Sequence, residues 1–190
     1  MREQARVFDR EGDAQLVRQA QSGSAVAFQS LAGRWNRRLI AHAWRLLGDQ
    51  DAACDAAQAA WVEIARGLTR LRDPVAFPAW AFRITTRRAA TLIRQRQADR
   101  RLARVLEQAA ASEPSAISPT SSEFVASTAL HAAIRRLPPA QRAALALHHF
   151  EDLTVAEVAV ALDTPIGTIK TRLMYARLKL KAALEGETHD

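Results

Sequence analysis

Apolar positions recur along this chain at intervals of three and four, and nowhere in sustained alternation. Phe28, Leu31, Trp35, Leu39 and Leu46 line one face of a 3.6-residue period. Ser24 stands before that run as a capping residue and Gly48 behind it as a stop, which predicts a helix over about 25–47. The same signals predict a helix over 14–22, capped by Asp13 and ended by Gly23, and one over 51–66, ended by Gly67. A fourth helix starts at Phe77 and runs into the nineties, with Pro78 tolerated only in its first turn. A second set follows at 124–136, 140–150, 155–162 and 165–184, broken at Leu137-Pro138-Pro139. Between the sets, "SEPSAISPTSS" has no hydrophobic period and too little apolar surface to offset its ordering entropy. The pattern predicts an all-α chain. Residues 1–104 form one small helical domain, 105–123 a flexible acidic linker, and 124–190 a second helical domain.

The second domain ends on "LTVAEVAVALDTPIGTIKTRLMYARLKLK". Thr154 and Glu157 have capping-box spacing, so a short helix begins at Val155. Asp163-Thr164-Pro165 makes a sharp break, Thr164 is the candidate cap of the next helix and Pro165 suits its first position. Ile166, Ile169, Leu173, Ala176 and Leu180 then line one face, opposite Val155, Val158, Ala159 and Leu162. This is the pattern of a helix-turn-helix, whose second helix enters the DNA major groove by its N-terminal part. Thr168 and Thr171 fall opposite the apolar face, with Lys170 and Arg172 on its flanks and Arg177 further along. Hydroxyls and cations there can reach base edges and phosphates. Met174, Tyr175 and Leu178 also point away from the core, which marks a protein contact.

Charge sharpens the picture. The chain carries +7 at neutral pH with an isoelectric point near 10.8, which favours a polyanionic partner. Residues 69–104 hold ten Arg against two Asp, and 165–184 hold five Lys or Arg and no acid. Arg83, Arg87 and Arg94 form one stripe of the fourth helix, with Trp80 a turn earlier. Trp80 itself reads first as a core residue. The third helix offers Asp51, Asp55 and Gln58, an acid-and-amide row suited to docking on a basic protein helix, although spacing alone does not separate that from an ordinary polar surface. A single cysteine, Cys54, excludes an internal disulfide. The charged N-terminus and the lack of a long apolar run point to a cytoplasmic protein.

Taken together these motifs resemble the bacterial RNA polymerase sigma factors of the extracytoplasmic-function group. "DAACDAAQAAWVEIARGL" resembles that family's polymerase-binding helix, with Asp55 and Gln58 at matching positions. "FPAWAFRITTRRAATLIR" resembles the helix that binds and melts the minus-ten element, with Trp80, Ile84 and Arg94 at matching positions. "GTIKTRLMYARLKL" is similar to the helix that reads the minus-thirty-five element. The chain departs from the family pattern at Cys54, Ala59, Arg87 and Thr91. The resemblance implies a factor that takes core RNA polymerase to promoter DNA. It also implies an anti-sigma partner, the cytoplasmic part of a membrane-anchored protein, and neither a cofactor nor a small-molecule substrate.

Two other classes compete. A free-standing helix-turn-helix regulator shares the C-terminal motif, yet residues 1–104 show no sensing or dimerising pattern. An enzyme needs a constellation that is hard to find here. His148 and His149 are adjacent and diverge by about 100° on a helix, so they do not chelate one metal. There is no Gly-rich phosphate loop, no His-Glu-x-x-His and no nucleophile elbow, so no catalytic or metal residue is assigned.

Overall fold

The computed structural model describes residues 9–110 and 129–186, and all regular structure among them is helical. The first set is α1 (Arg10–Gln21), α2 (Ala25–Leu47), α3 (Gln50–Gly67) and the long α4 (Phe77–Ala110), with two short 3-10 turns between α3 and α4. The second is α5 (Ala129–Arg136), α6 (Pro139–His149), α7 (Val155–Ala161) and α8 (Ile166–Gly186). Residues 111–123 of the expected 105–123 linker lie outside the described residues.

Local chemistry explains most boundaries. The Ser24 hydroxyl accepts from the Ala27 amide to start α2, and Gly48 closes it with φ 69°, a left-handed conformation open to glycine at little cost. Asp49 caps α3. The Thr154 hydroxyl accepts from the Glu157 amide while the Glu157 carboxylate accepts from the Thr154 amide, which completes the capping box of α7.

Four expectations need correction. α1 is capped by Asp9, whose side chain accepts from the Gly12 amide, and not by Asp13. Asp13 is buried and accepts from the Trp35 indole at 3.0 Å, a partner 22 residues away that local spacing does not reveal. α4 continues to Ala110, so residues 105–110 of the expected linker are helical. "VLEQAA" contains no Gly or Pro, and the change of charge sign after Arg104 does not stop a helix. Ile166 is 48% exposed rather than on the buried face, because it opens α8 ahead of the turn that meets the other helices. The Thr164 hydroxyl donates to the Leu162 carbonyl at 2.9 Å and accepts from Arg172 at 3.3 Å, fixing the turn in place of the expected cap.

The core is organised around Trp35. Phe77 and Phe82 meet its ring edge-on at 5.3 and 5.7 Å, and all three side chains are fully buried. Burying each is worth about 2–3 kcal/mol at the usual value per unit apolar area. His42 lies beside them, with its ring 5.1 Å from that of Phe82. One apolar cluster runs from Val17 and Leu31 in the first set to Leu153, Val158 and Ile169 in the second. α7 packs on α4 and α6 on α2, so the two helical sets share a core.

Candidate nucleic-acid interface

In the helix-turn-helix, Val158 and Ala161 of α7 and Ile169, Leu173 and Ala176 of α8 are buried, which fixes the rotation of α8 about its axis. Asp163 makes the turn with φ 50°, a left-handed conformation that Asp tolerates better than most residues. Rotation fixed in this way leaves Thr168, Lys170 and Thr171 exposed near the start of α8. The Thr171 hydroxyl donates back to the Gly167 carbonyl. Arg172 is half-buried against Thr164, so it bridges the turn as well as flanking the surface. Arg177 is exposed two turns from Lys170 and contacts His149 at 3.4 Å. Met174, Tyr175 and Leu178 are 48, 49 and 55% exposed. Beside them an apolar groove of about 340 Å³ is lined by His148, Val155, Leu173 and Met174, with Lys170 and Arg177 among its walls.

On α4, Arg83, Arg87 and Arg94 are all exposed along one side, yet two of them are engaged. Arg83 pairs with Asp163 of the helix-turn-helix at 3.0 Å, and Arg87 pairs with Glu63 of α3, which also holds Arg88 at 2.7 Å. Arg94 has no acid partner among the described residues and donates to the Thr91 hydroxyl at 3.2 Å. Ile84 is buried. Trp80 is half-buried and leans on Phe77, and a Cβ at Gly67 would stand 3.1 Å from its ring. Gly67 thus lets α3 end close against the indole.

Asp51, Asp55 and Gln58 form an exposed row on α3 and have no side-chain partner among the described residues. The row continues to Val62, which is 51% exposed.

A second group of charges has no local signature in the sequence. The Glu151 carboxylate, 3% exposed, accepts from Arg45 at 2.5 Å and from Arg38 at 3.3 Å. Burial raises its pKa above the ordinary glutamate value, and the charges and hydrogen bonds of Arg45 and Arg38 oppose that only in part. The Arg45 guanidinium also lies 4.5 Å from the Phe150 ring centroid. Arg10 reaches Glu157 with two hydrogen bonds of 2.6 and 3.1 Å. Burial would raise the Glu157 carboxyl, but the Arg10 and Thr154 hydrogen bonds outweigh it and hold the group low. These pairs join residues 106 to 147 apart, so no local spacing betrays them.

Comparison with known proteins decides what this arrangement belongs to. Residues 31–99 match the model for sigma-70 region 2, and residues 127–180 match that for sigma-70 region 4. The chain belongs to the sigma-70 family. It is similar to the RNA polymerase sigma-H factor of Pseudomonas aeruginosa, 29% identical over 196 residues, covering 94% of this chain and 97% of that one. It is also similar to the extracytoplasmic-function sigma-E factor of Escherichia coli, 27% identical over 173 residues, covering 87% and 90%. Among solved structures, CnrH in complex with the cytosolic domain of CnrY aligns with a TM-score of 0.68 at 25% identity, covering 92% of this chain and 98% of that one. The fold is shared with a Bartonella quintana sigma factor, RpoE, at a TM-score of 0.66 and 23% identity, covering 83% and 96%. This chain is thus an alternative sigma factor of the extracytoplasmic-function group, which binds core RNA polymerase and directs promoter-specific initiation. No helix among the described residues is long and apolar enough to cross a membrane.

Proposed function

We propose that the sigma factor divides its work by residue as follows. Thr168, Lys170, Thr171 and Arg177 of α8 contact the minus-thirty-five duplex, with Arg172 bracing the turn and reaching the flanking phosphate. Lys170 suits bidentate contact with guanine O6 and N7, and the threonines suit thymine methyls. Arg83, Arg87 and Arg94 of α4 follow the minus-ten strand once a base has left the stack, at a cost of about a few kcal/mol. Trp80 positions that surface from its seat on Gly67 and Phe77. Asp51, Asp55 and Gln58 dock on core polymerase. The units that carry these roles are residues 1–104 and 124–190. The factor acts stoichiometrically in the cytoplasm and catalyses no reaction of its own.

A regulator completes the reading. CnrH is held by the cytosolic domain of CnrY. The exposed Met174, Tyr175 and Leu178 and the adjoining groove offer a matching protein contact here. An anti-sigma factor, the cytoplasmic part of a membrane-anchored protein, covers this surface in the silent state.

The observation that carries the assignment is the exposed N-terminal face of α8, held in rotation by Ile169 and Leu173. Run-off transcription with purified core polymerase and genomic promoter fragments tests it. Discrete starts should appear only with the factor. They should be lost with Asp55→Ala plus Gln58→Ala, and with Lys170→Ala plus Thr168→Ala. Sequence-specific DNA binding without core binding or transcript would instead identify a free-standing regulator.

A further inference from the structure

We propose that Gln21, the last residue of α1, is a positioning residue for the minus-ten strand: its side chain splints the loop over residues 68–76, and with it the cations Arg70 and Arg72. The inference deepens, and rests on, the reading of α4 as the minus-ten helix.

The sequence makes this loop weak by itself. "LTRLRDPVA" has no helical or alternating period. Its two 3-10 turns, Leu68–Arg70 and Pro74–Ala76, have three residues each, too few to hold their own shape. Leu68 is buried and Leu71 is packed partly against the core, which anchors side chains but leaves the backbone polar groups to be answered separately. At the second turn the Asp73 side chain accepts from the Val75 amide at 2.9 Å, and the Ala76 amide donates to the Asp73 carbonyl at 3.1 Å.

Gln21 holds the first turn. Its Nε2 donates to the Leu68 carbonyl at 2.9 Å and to the Leu71 carbonyl at 2.8 Å, 47 and 50 residues along the chain. The Leu71 amide donates to the same Leu68 carbonyl at 3.1 Å, so one glutamine closes both ends of the turn. The pair of acceptors also fixes which way the amide points. An amide nitrogen has two hydrogens to give, whereas the amide oxygen turned the same way would meet two carbonyl oxygens. α1 packs on both 3-10 turns, so the splint stands on a folded helix.

The place of the loop gives the splint its use. The loop follows Gly67, whose Cα faces the Trp80 ring, and delivers the chain to Phe77, where α4 begins. Arg70 and Arg72 are exposed and have no hydrogen-bond or ion-pair partner among the described residues, whereas Arg83 and Arg87 on α4 are paired with acids. Two unpaired cations just ahead of the strand-following helix suit a phosphate backbone. A mobile loop would give up its freedom when the strand arrived, and affinity would fall by that cost. A loop already ordered by Gln21 avoids most of it.

The test uses the full-length chain and neutral substitutions at Gln21. Gln21→Met keeps nearly the same length and removes both donors. Gln21→Ala replaces it if methionine disturbs folding, with helical content checked by circular dichroism. Hydrogen exchange of the free factor reads the splint directly. The amides of Leu71, Val75 and Ala76 should exchange roughly tenfold faster in the variant, as for the loss of two net hydrogen bonds, while amides in the middle of α2 keep their rates. Holoenzyme is then bound to a genomic promoter fragment premelted by mismatches across its minus-ten element. Arg70→Ala plus Arg72→Ala should lower the log–log salt slope by about 1.4, at about 0.7 per cation on a single strand. Gln21→Met should weaken binding by about three- to tenfold, and should cost almost nothing when added to the double arginine variant. Binding to a duplex that carries the minus-thirty-five element alone should not change. Unchanged exchange in a folded Gln21 variant overturns the splint. Full additivity with the arginine pair, or an equal loss on the minus-thirty-five duplex, overturns its action through the cations. Failure of the sigma reading looks different: no core binding and no transcript even with the unmodified factor, while loop exchange still depends on Gln21.

Discussion

His42 makes the folded state sensitive to acid, and the size of the effect follows from its surroundings. The ring is fully buried on α2, its Nε2 lies 2.8 Å from the Thr86 hydroxyl, and its Nδ1 has no hydrogen-bond partner among the described residues. Burial, and then the nearby Arg45 charge, lower its pKa from 6.5 to about 3. A proton on the ring would be a buried cation with one N–H unanswered, so the folded chain does not accept it. The unfolded chain does, below about pH 6.5. The folded-state pKa of this base is depressed, so its penalty is absent above about pH 6.5 and grows as pH falls toward 3. Between pH 7 and pH 5 the loss is about 2 kcal/mol, at about 1.36 kcal/mol per unit. For a chain of this size that is a melting shift of about 4–8 °C. Glu151 acts in the opposite sense. Its folded pKa is raised, so its contribution is present in acid and fades as pH rises through that value. Comparing the unmodified factor with His42→Gln cancels the Glu151 effect, since both chains keep it. Guanidinium unfolding of both at pH 7, 6 and 5 is the assay. The stability difference should move by about 2 kcal/mol in favour of His42→Gln on going to pH 5. Parallel pH profiles would refute the reasoning, whatever constant offset the substitution introduces.

Other outcomes follow from single contacts. Lys170→Ala should lower the salt dependence of holoenzyme binding to a minus-thirty-five duplex by about one in log–log slope if the ammonium meets phosphate. If it reads guanine, it should cost about 1–3 kcal/mol at one base position and nothing elsewhere, and a titration across salt and sequence variants separates the two. Thr154→Ala removes the capping box of α7 and should destabilise the chain by about 1 kcal/mol, read by thermal melting. Trp35→Phe keeps most of the ring but strips the buried Asp13 carboxylate of its indole donor, leaving it Arg34 at 3.3 Å. The expected loss is about 1–3 kcal/mol, and Trp35→Phe with Asp13→Ala should cost less than the two single changes together.

What was legible in the residues was whatever repeats locally. Leu31, Trp35, Leu39 and Leu46 on α2 are buried as their spacing demands, and the capping box at Thr154 and Glu157 forms as written. The exposed rows on α3 and α8 are also local facts, because a helix face that faces solvent is set by the opposite face that does not. Three things were not legible, and each depends on a partner distant in sequence. Asp13 and Asp9 are both good caps by type, and only the indole of Trp35 decides that Asp13 goes inward. Trp80 has the same face whether it stacks on a base or leans on Gly67, and only the end of α3 places the glycine there. Glu151 sits in "HHFEDL", where nothing periodic marks it, and its meaning comes from Arg38 and Arg45 more than a hundred residues earlier. The local pattern specifies each half of the factor, while the shared apolar contacts and the isolated charges by which the halves hold one another join residues distant in sequence. Arg38 and Arg45 lie on α2 and Glu151 follows α6, so substitution at Glu151 should alter the coupling between the halves far more than the helices of either.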